Sequence, residues 1–172
     1  MTSTIAKETE IFEDVSNPLD WVEEVFSIQD WAFDRHSEDE LTVHVSGKRG
    51  QYRLHFLWQE EYSAMQFSCE MDVVIAPSAR SDAAKALATM NADIWLGHFD
   101  IREDVKIPRF RHTSLFRGMT GGSGAEHIED LVDIALNECE RYMPVFSLLS
   151  RQNQMPDSAS LSLALMDSAG SA

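Results

Sequence analysis

Residues 51–75, "QYRLHFLWQEEYSAMQFSCEMDVVI", hold two runs in which an apolar residue falls at every second position, joined by the polar link "EEYS". A period of two belongs to a strand, so Tyr52, Leu54, Phe56 and Trp58 share one face of the first run. Met65, Phe67, Cys69, Met71 and Val73 share one face of the second. Keeping both apolar faces on the same side of a hairpin sets Trp58 opposite Met65, since a slip of one residue would turn every side chain over. That register brings Arg53 opposite Glu70 as an ion pair rather than a clash of like charges. Leu57 breaks the pattern, an apolar residue on the polar face, and is a candidate contact residue for a partner.

The sheet extends upstream. "ELTVHVSG" alternates Leu41, Val43 and Val45 inward, "GKRG" turns it into the Gln51 strand, and "WAFDRH" reads as a further short strand. Before it, Asn17 can cap a helix, Pro18 suits its first position, and Leu19, Val22, Val25 and Phe26 recur at helical spacing to about Gln29. Downstream, Pro77 ends the Met65 strand, and Ala79 to Leu96 reads as a helix with Ala83, Leu87, Met90 and Ile94 on one stripe, stopped by Gly97. "HFDIRE" and "IPRFRHTSLF" form a second hairpin in which Phe99 facing Phe110 sets Asp100 opposite Arg109. A last helix carries Ile128, Leu131, Val132, Ala135, Cys139 and Tyr142 inward until Pro144 interrupts it. The four tryptophans, Trp21, Trp31, Trp58 and Trp95, lie in or beside these stripes and are expected in the core.

The order α-β-β-β(β)-α-β-β-α predicts an α+β fold, an antiparallel sheet with helices packed on one face. A length of 172 residues suits one domain, placed at residues 17–150. Residues 1–16 read as a polar, acidic tail and residues 151–172 as a Ser/Ala-rich tail whose short apolar run includes Leu161, Leu165 and Met166.

Chemistry is scarce in this pattern. A net charge of -15 repels phosphate backbones and anionic membranes, so neither nucleic acid nor a membrane is expected as a partner. The opening residues lack a basic segment followed by an apolar one, which makes the cytoplasm the expected compartment. Cys69 and Cys139 have no CxxC spacing and read as buried free thiols. The glycine loop "RGMTGGSGAE" resembles a phosphate cradle, but no lysine follows it and Glu126, Glu129 and Asp130 make the helix entrance negative. Ser123 and Glu126 instead suggest a capping box. No HExxH or GxSxG pattern occurs, so no catalytic residue, metal or cofactor is expected.

The segments "NPLDWVEEVFSIQDWAFDRHSEDELTVHVSG", "YRLHFLWQEEYSAMQFSCEMDV", "NADIWLGHFDI" and "HIEDLVDIALNECERYMPVF" resemble the YbjN-domain family, described as proposed bacterial sensory transduction regulators. The resemblance runs from Asn17 to about Leu149 and implies a fold similar to that of type III secretion chaperones, small homodimers that hold extended segments of client proteins. Two readings stand side by side: a non-catalytic regulatory or chaperone-like module that binds a protein or peptide as a homodimer, and a small-ligand or metal-binding sensor, or enzyme, using the outer sheet face. For the first, Ala84 and Ala88 would let a second helix approach, and Leu57 with the tail's Leu161, Leu165 and Met166 marks surface that is covered, by a partner or by the chain's own C-terminus in its place. For the second, a deep cavity lined by His44, His55, His98 and Asp100 would be required.

Overall fold

Asn17 accepts a hydrogen bond from the Leu19 N–H at 3.0 Å and so starts helix α1, Pro18–Ile28, which buries Leu19, Trp21, Val22, Val25 and Phe26. The computed structural model describes residues 17–150 and 158–169. Beyond α1 the period-two segments become strands β1 (Phe33–Arg35), β2 (Glu40–Ser46), β3 (Gln51–Gln59) and β4 (Ala64–Met71). Helix α2 (Arg80–Asp93) leads to β5 (His98–Ile101) and β6 (Pro108–Leu115), followed by α3 (Gly121–Leu149) and α4 (Ser158–Ala169). The six strands form one antiparallel sheet in the order β1-β2-β3-β4-β6-β5, so α2 carries the chain from β4 to the edge strand β5.

The registers match the alternation and charge argument. Trp58 faces Met65, Arg53 faces Glu70, Phe99 faces Phe110 and Asp100 faces Arg109. The apolar parity of β2, β3, β4 and β6 turns toward the helices, where Phe99 meets Tyr142 and Phe146 of α3 with ring centroids 5.6 and 5.4 Å apart. Cys69 and Cys139 are buried free thiols there, their Sγ atoms 3.6 Å apart.

Five local expectations are corrected. Pro144 does not interrupt the last helix: it removes the N–H that would bond the Glu140 carbonyl, but Met143, Val145, Phe146 and Leu149 are anchored in the core around it. Residues 158–169 of the presumed C-terminal tail form α4, with Leu161 buried. The β4 strand ends at Met71 rather than at Pro77, and Ile75 donates its N–H to the Lys106 carbonyl instead. Trp95 is 77% exposed, because α2 ends at Asp93 and Ile94 is already extended. Gly97 then turns the chain with φ +69°, where a Cβ would meet the Phe110 ring.

The capping box is the fifth. Thr120 occupies the N-cap, its N–H donates to Ser123 Oγ at 3.1 Å, and Glu126 has no part in it. Gly121, Gly122 and Gly124 therefore belong to the first turns of α3 rather than to a loop ahead of it. Gly124 has a packing reason: a Cβ there would enter the Trp21 ring, so its absence lets α1 press against α3.

Candidate functional site

The outward parity of the strands is polar, and among the described residues no helix covers it. Glu70, 5% exposed, is its most buried charge. Arg102, just beyond β5, donates to Glu70 Oε1 at 2.7 Å, His55 Nε2 lies 3.3 Å from Oε2, and the sequence-inferred partner Arg53 stands at 4.0 Å. The hydrogen bond to His55, then that to Arg102, outweighs burial and lowers the Glu70 pKa to about 2. Burial works to raise Asp100, but hydrogen bonds from Arg109 at 2.6 Å and Arg111 at 3.0 Å prevail and hold it below the ordinary carboxylate range. Both carboxylates are held as ion-pair partners, which opposes proton uptake in general-base catalysis at neutral pH.

The histidines separate. His44 faces Arg53 across β2 and β3, and His55 faces Ser68. His98 lies outward opposite Arg111, whereas His112 pairs with inward-facing Phe67. Burial lowers the His112 pKa, and the neighbouring charges of His127 and His98 lower it further. Among the described residues no group of three or more His, Cys, Asp and Glu is placed to hold a metal. The outer face has a depression of about 360 Å³ beside Leu57, and of His44, His55, His98 and Asp100 only His55 lines it. Leu57 itself is 39% exposed.

A different kind of surface lies where α2 meets the edge strand. An apolar groove of about 470 Å³ runs between Ala83, Ala84 and Leu87 of α2 and Ile101 of β5, with Ile75 and Pro77 among its lining residues. Ala84 and Ala88 are both exposed, but only Ala84 borders this groove. At its charged rim, Arg80 and Lys106 share Glu103 at 3.3 and 2.6 Å.

Helix α4 packs on α3 and α2, the side of the sheet away from Leu57, so it does not cover that residue. Leu161 and Leu165 anchor it, Ser168 Oγ donates to the Arg141 carbonyl at 2.9 Å, and Met166 remains 71% exposed. Trp95 and Leu163, both exposed, border a cleft of about 950 Å³ between α3, α4 and the turn at Lys48.

The sequence offers Ala84 as a place for a second helix to approach and does not foretell the groove that it borders. Ile75 and Ile101 read as strand residues, and which strand forms an edge is a property of the sheet order.

One sheet face covered by helices, the other polar and without a covering helix among the described residues, and a short edge strand flanked by an apolar groove define an open-faced α+β domain. The chain belongs to the YbjN family, whose model, described as "Putative bacterial sensory transduction regulator", matches residues 18–148. That description is of regulators rather than of catalysts. A crystal structure of YbjN, "a putative transcription regulator from E. coli", is similar at 17% identity and a TM-score of 0.49, covering 73% of this chain and 93% of that one. No curated protein matches the chain. Among the described residues no helix is long and apolar enough to cross a membrane.

Proposed function

We propose that this protein is a non-catalytic regulatory module, chaperone-like and homodimeric, that works in the cytoplasm by holding an extended segment of another protein. The groove between α2 and β5 carries this reading: it is apolar, open to solvent and bounded by an edge strand. Ala84 forms part of its wall, where a larger side chain would fill it. The second copy is assigned the exposed apolar residues of the helical layer, Ala88 on α2, Trp95 beyond it, and Leu163 and Met166 on α4. Leu161 and Leu165 act indirectly, by holding α4 in place.

Binding of this kind is modest, on the order of micromolar, because ordering a flexible segment costs about 2–5 kcal/mol. Light scattering tests the dimer, and anisotropy titration with labelled extended apolar peptides tests the groove. Saturable binding by a dimer is the expected result. A strict monomer at tens of micromolar that binds no peptide would overturn the reading.

A further inference from the structure

Residue Phe99 of the edge strand lies opposite Phe110, and its backbone groups point away from β6 toward α2. Both meet one side chain there. The Phe99 N–H donates to Asn91 Oδ1 at 2.7 Å, and Asn91 Nδ2 donates to the Phe99 carbonyl at 3.0 Å. A primary amide bonded in both directions offers the edge what the backbone of an adjacent strand would offer. Asn91 therefore occupies one residue's worth of the place of a seventh strand.

Two residues on, Ile101 has the same orientation, because outward and inward backbone groups alternate along a strand. The Arg102 N–H confirms the alternation, turning to the β6 side to reach the Ile107 carbonyl at 2.9 Å. Ile101 borders the apolar groove, and among the described residues no side chain or loop bonds its N–H or C=O. The groove's mouth is also less acidic than the chain as a whole, with Arg80 and Lys106 against Asp100 and Glu103 among its lining residues. Arg80 and Lys106 have one carboxylate between them, Glu103, while Asp100 is matched by Arg109 and Arg111. Two cations that share a single carboxylate thus border the groove of a protein whose net charge is -15.

Resting on the reading of this groove as a protein-binding site, we propose that its occupant is an extended partner segment that pairs with the Ile101 N–H and C=O as a short added strand. Asn91 ends that pairing at Phe99, and an acidic side chain of the segment, next to its apolar one, meets Arg80 and Lys106. The segment is thereby specified in backbone form, in register and in charge.

Amide exchange on the full chain tests this, with a capped peptide of roughly six residues alternating Leu and Glu as the probe. The expected result is that exchange of the Ile101 amide slows by about tenfold on saturation while that of Phe99, already bonded to Asn91, is unchanged. The Leu/Lys version of the peptide should bind more weakly. In Asn91→Ala, the Phe99 amide should exchange freely without peptide and become protected with it. If the peptide binds and shifts Ala84 and Leu87 but leaves Ile101 exchange unchanged, the strand-pairing inference falls and the groove reading survives. Equal binding of the Leu/Lys peptide removes the charge assignment. Absence of binding by either peptide overturns both the inference and the reading beneath it.

Discussion

Helices α1 and α2 cover opposite flanks of the same sheet face, yet α1 buries six of its eleven residues and α2 only three of its fourteen. The difference is one of side-chain volume. Leu19, Trp21, Val22, Val25 and Phe26 fill the space between α1, the sheet and α3, and Gly124 removes the last obstacle to contact. Along α2 the inward positions are mostly alanine, so the helix can lie near the edge strand and still leave a groove. One flank is closed by packing, and the other keeps apolar surface that the described residues do not cover.

The contrast is tested first by truncation. Trp21→Ala should cost about 3–5 kcal/mol, as deletion of a buried aromatic does, whereas Leu87→Ala, at a half-buried groove residue, should cost less than about 2 kcal/mol. Chemical denaturation measures both. Equal losses would mean that the two flanks do not differ in packing.

Glu70→Gln probes the outer face instead, with an expected cost of about 2 kcal/mol at neutral pH from the lost charged hydrogen bonds. Its pH dependence has a definite sign. The folded-state pKa is lowered from the ordinary 4.5 to about 2, so the carboxylate's contribution is present above 4.5 and lost as pH falls through 2. The melting temperature of the parent should therefore fall more steeply across that window than that of Glu70→Gln. Parallel curves would show that His55 and Arg102 do not stabilise the ionised form.

Gly124→Ala tests the closed flank from the other side. The added methyl must displace Trp21, and overpacking of this kind costs about 1–3 kcal/mol, against a gain in helix propensity of up to about 1 kcal/mol. A stabilised variant would show that Trp21 can move aside freely. The smallest effect is at the helix start, where Thr120→Ala should cost about 1 kcal/mol and Ser123→Ala less, since Ser123 serves the N3 side of the capping box. Reversal of that order would restore Ser123 as the cap.

Strands and their registers were legible because alternation and cross-strand charge gave two independent tests of one pairing, at Trp58 with Met65 and at Arg53 with Glu70. The fold class followed from them. Misreadings fall where a local rule met tertiary context. A proline rule ends α3 at Pro144, but buried residues on both sides carry the helix through. A periodicity rule keeps Trp95 on the α2 stripe, but the turn at Gly97 needs the chain to leave the helix earlier. The groove was legible only in half: alanines announce a thin helix, yet that β5 would be an edge is fixed by the pairing of β4 with β6. Arg102 escaped notice as a partner of Glu70 for the same reason, being 32 residues away in sequence.

Two of the exposed candidates, Ala84 in the groove and Leu57 on the outer sheet face, allow one comparison to decide between the surfaces. Peptide titration of Ala84→Arg and Leu57→Arg, with melting curves confirming that both are folded, measures which face binds. Ala84→Arg should weaken binding by about tenfold or more, equivalent to about 1.4 kcal/mol, while Leu57→Arg stays within about twofold of the parent. Loss of binding in Leu57→Arg with full retention in Ala84→Arg would contradict the assignment and move the site to the outer sheet face.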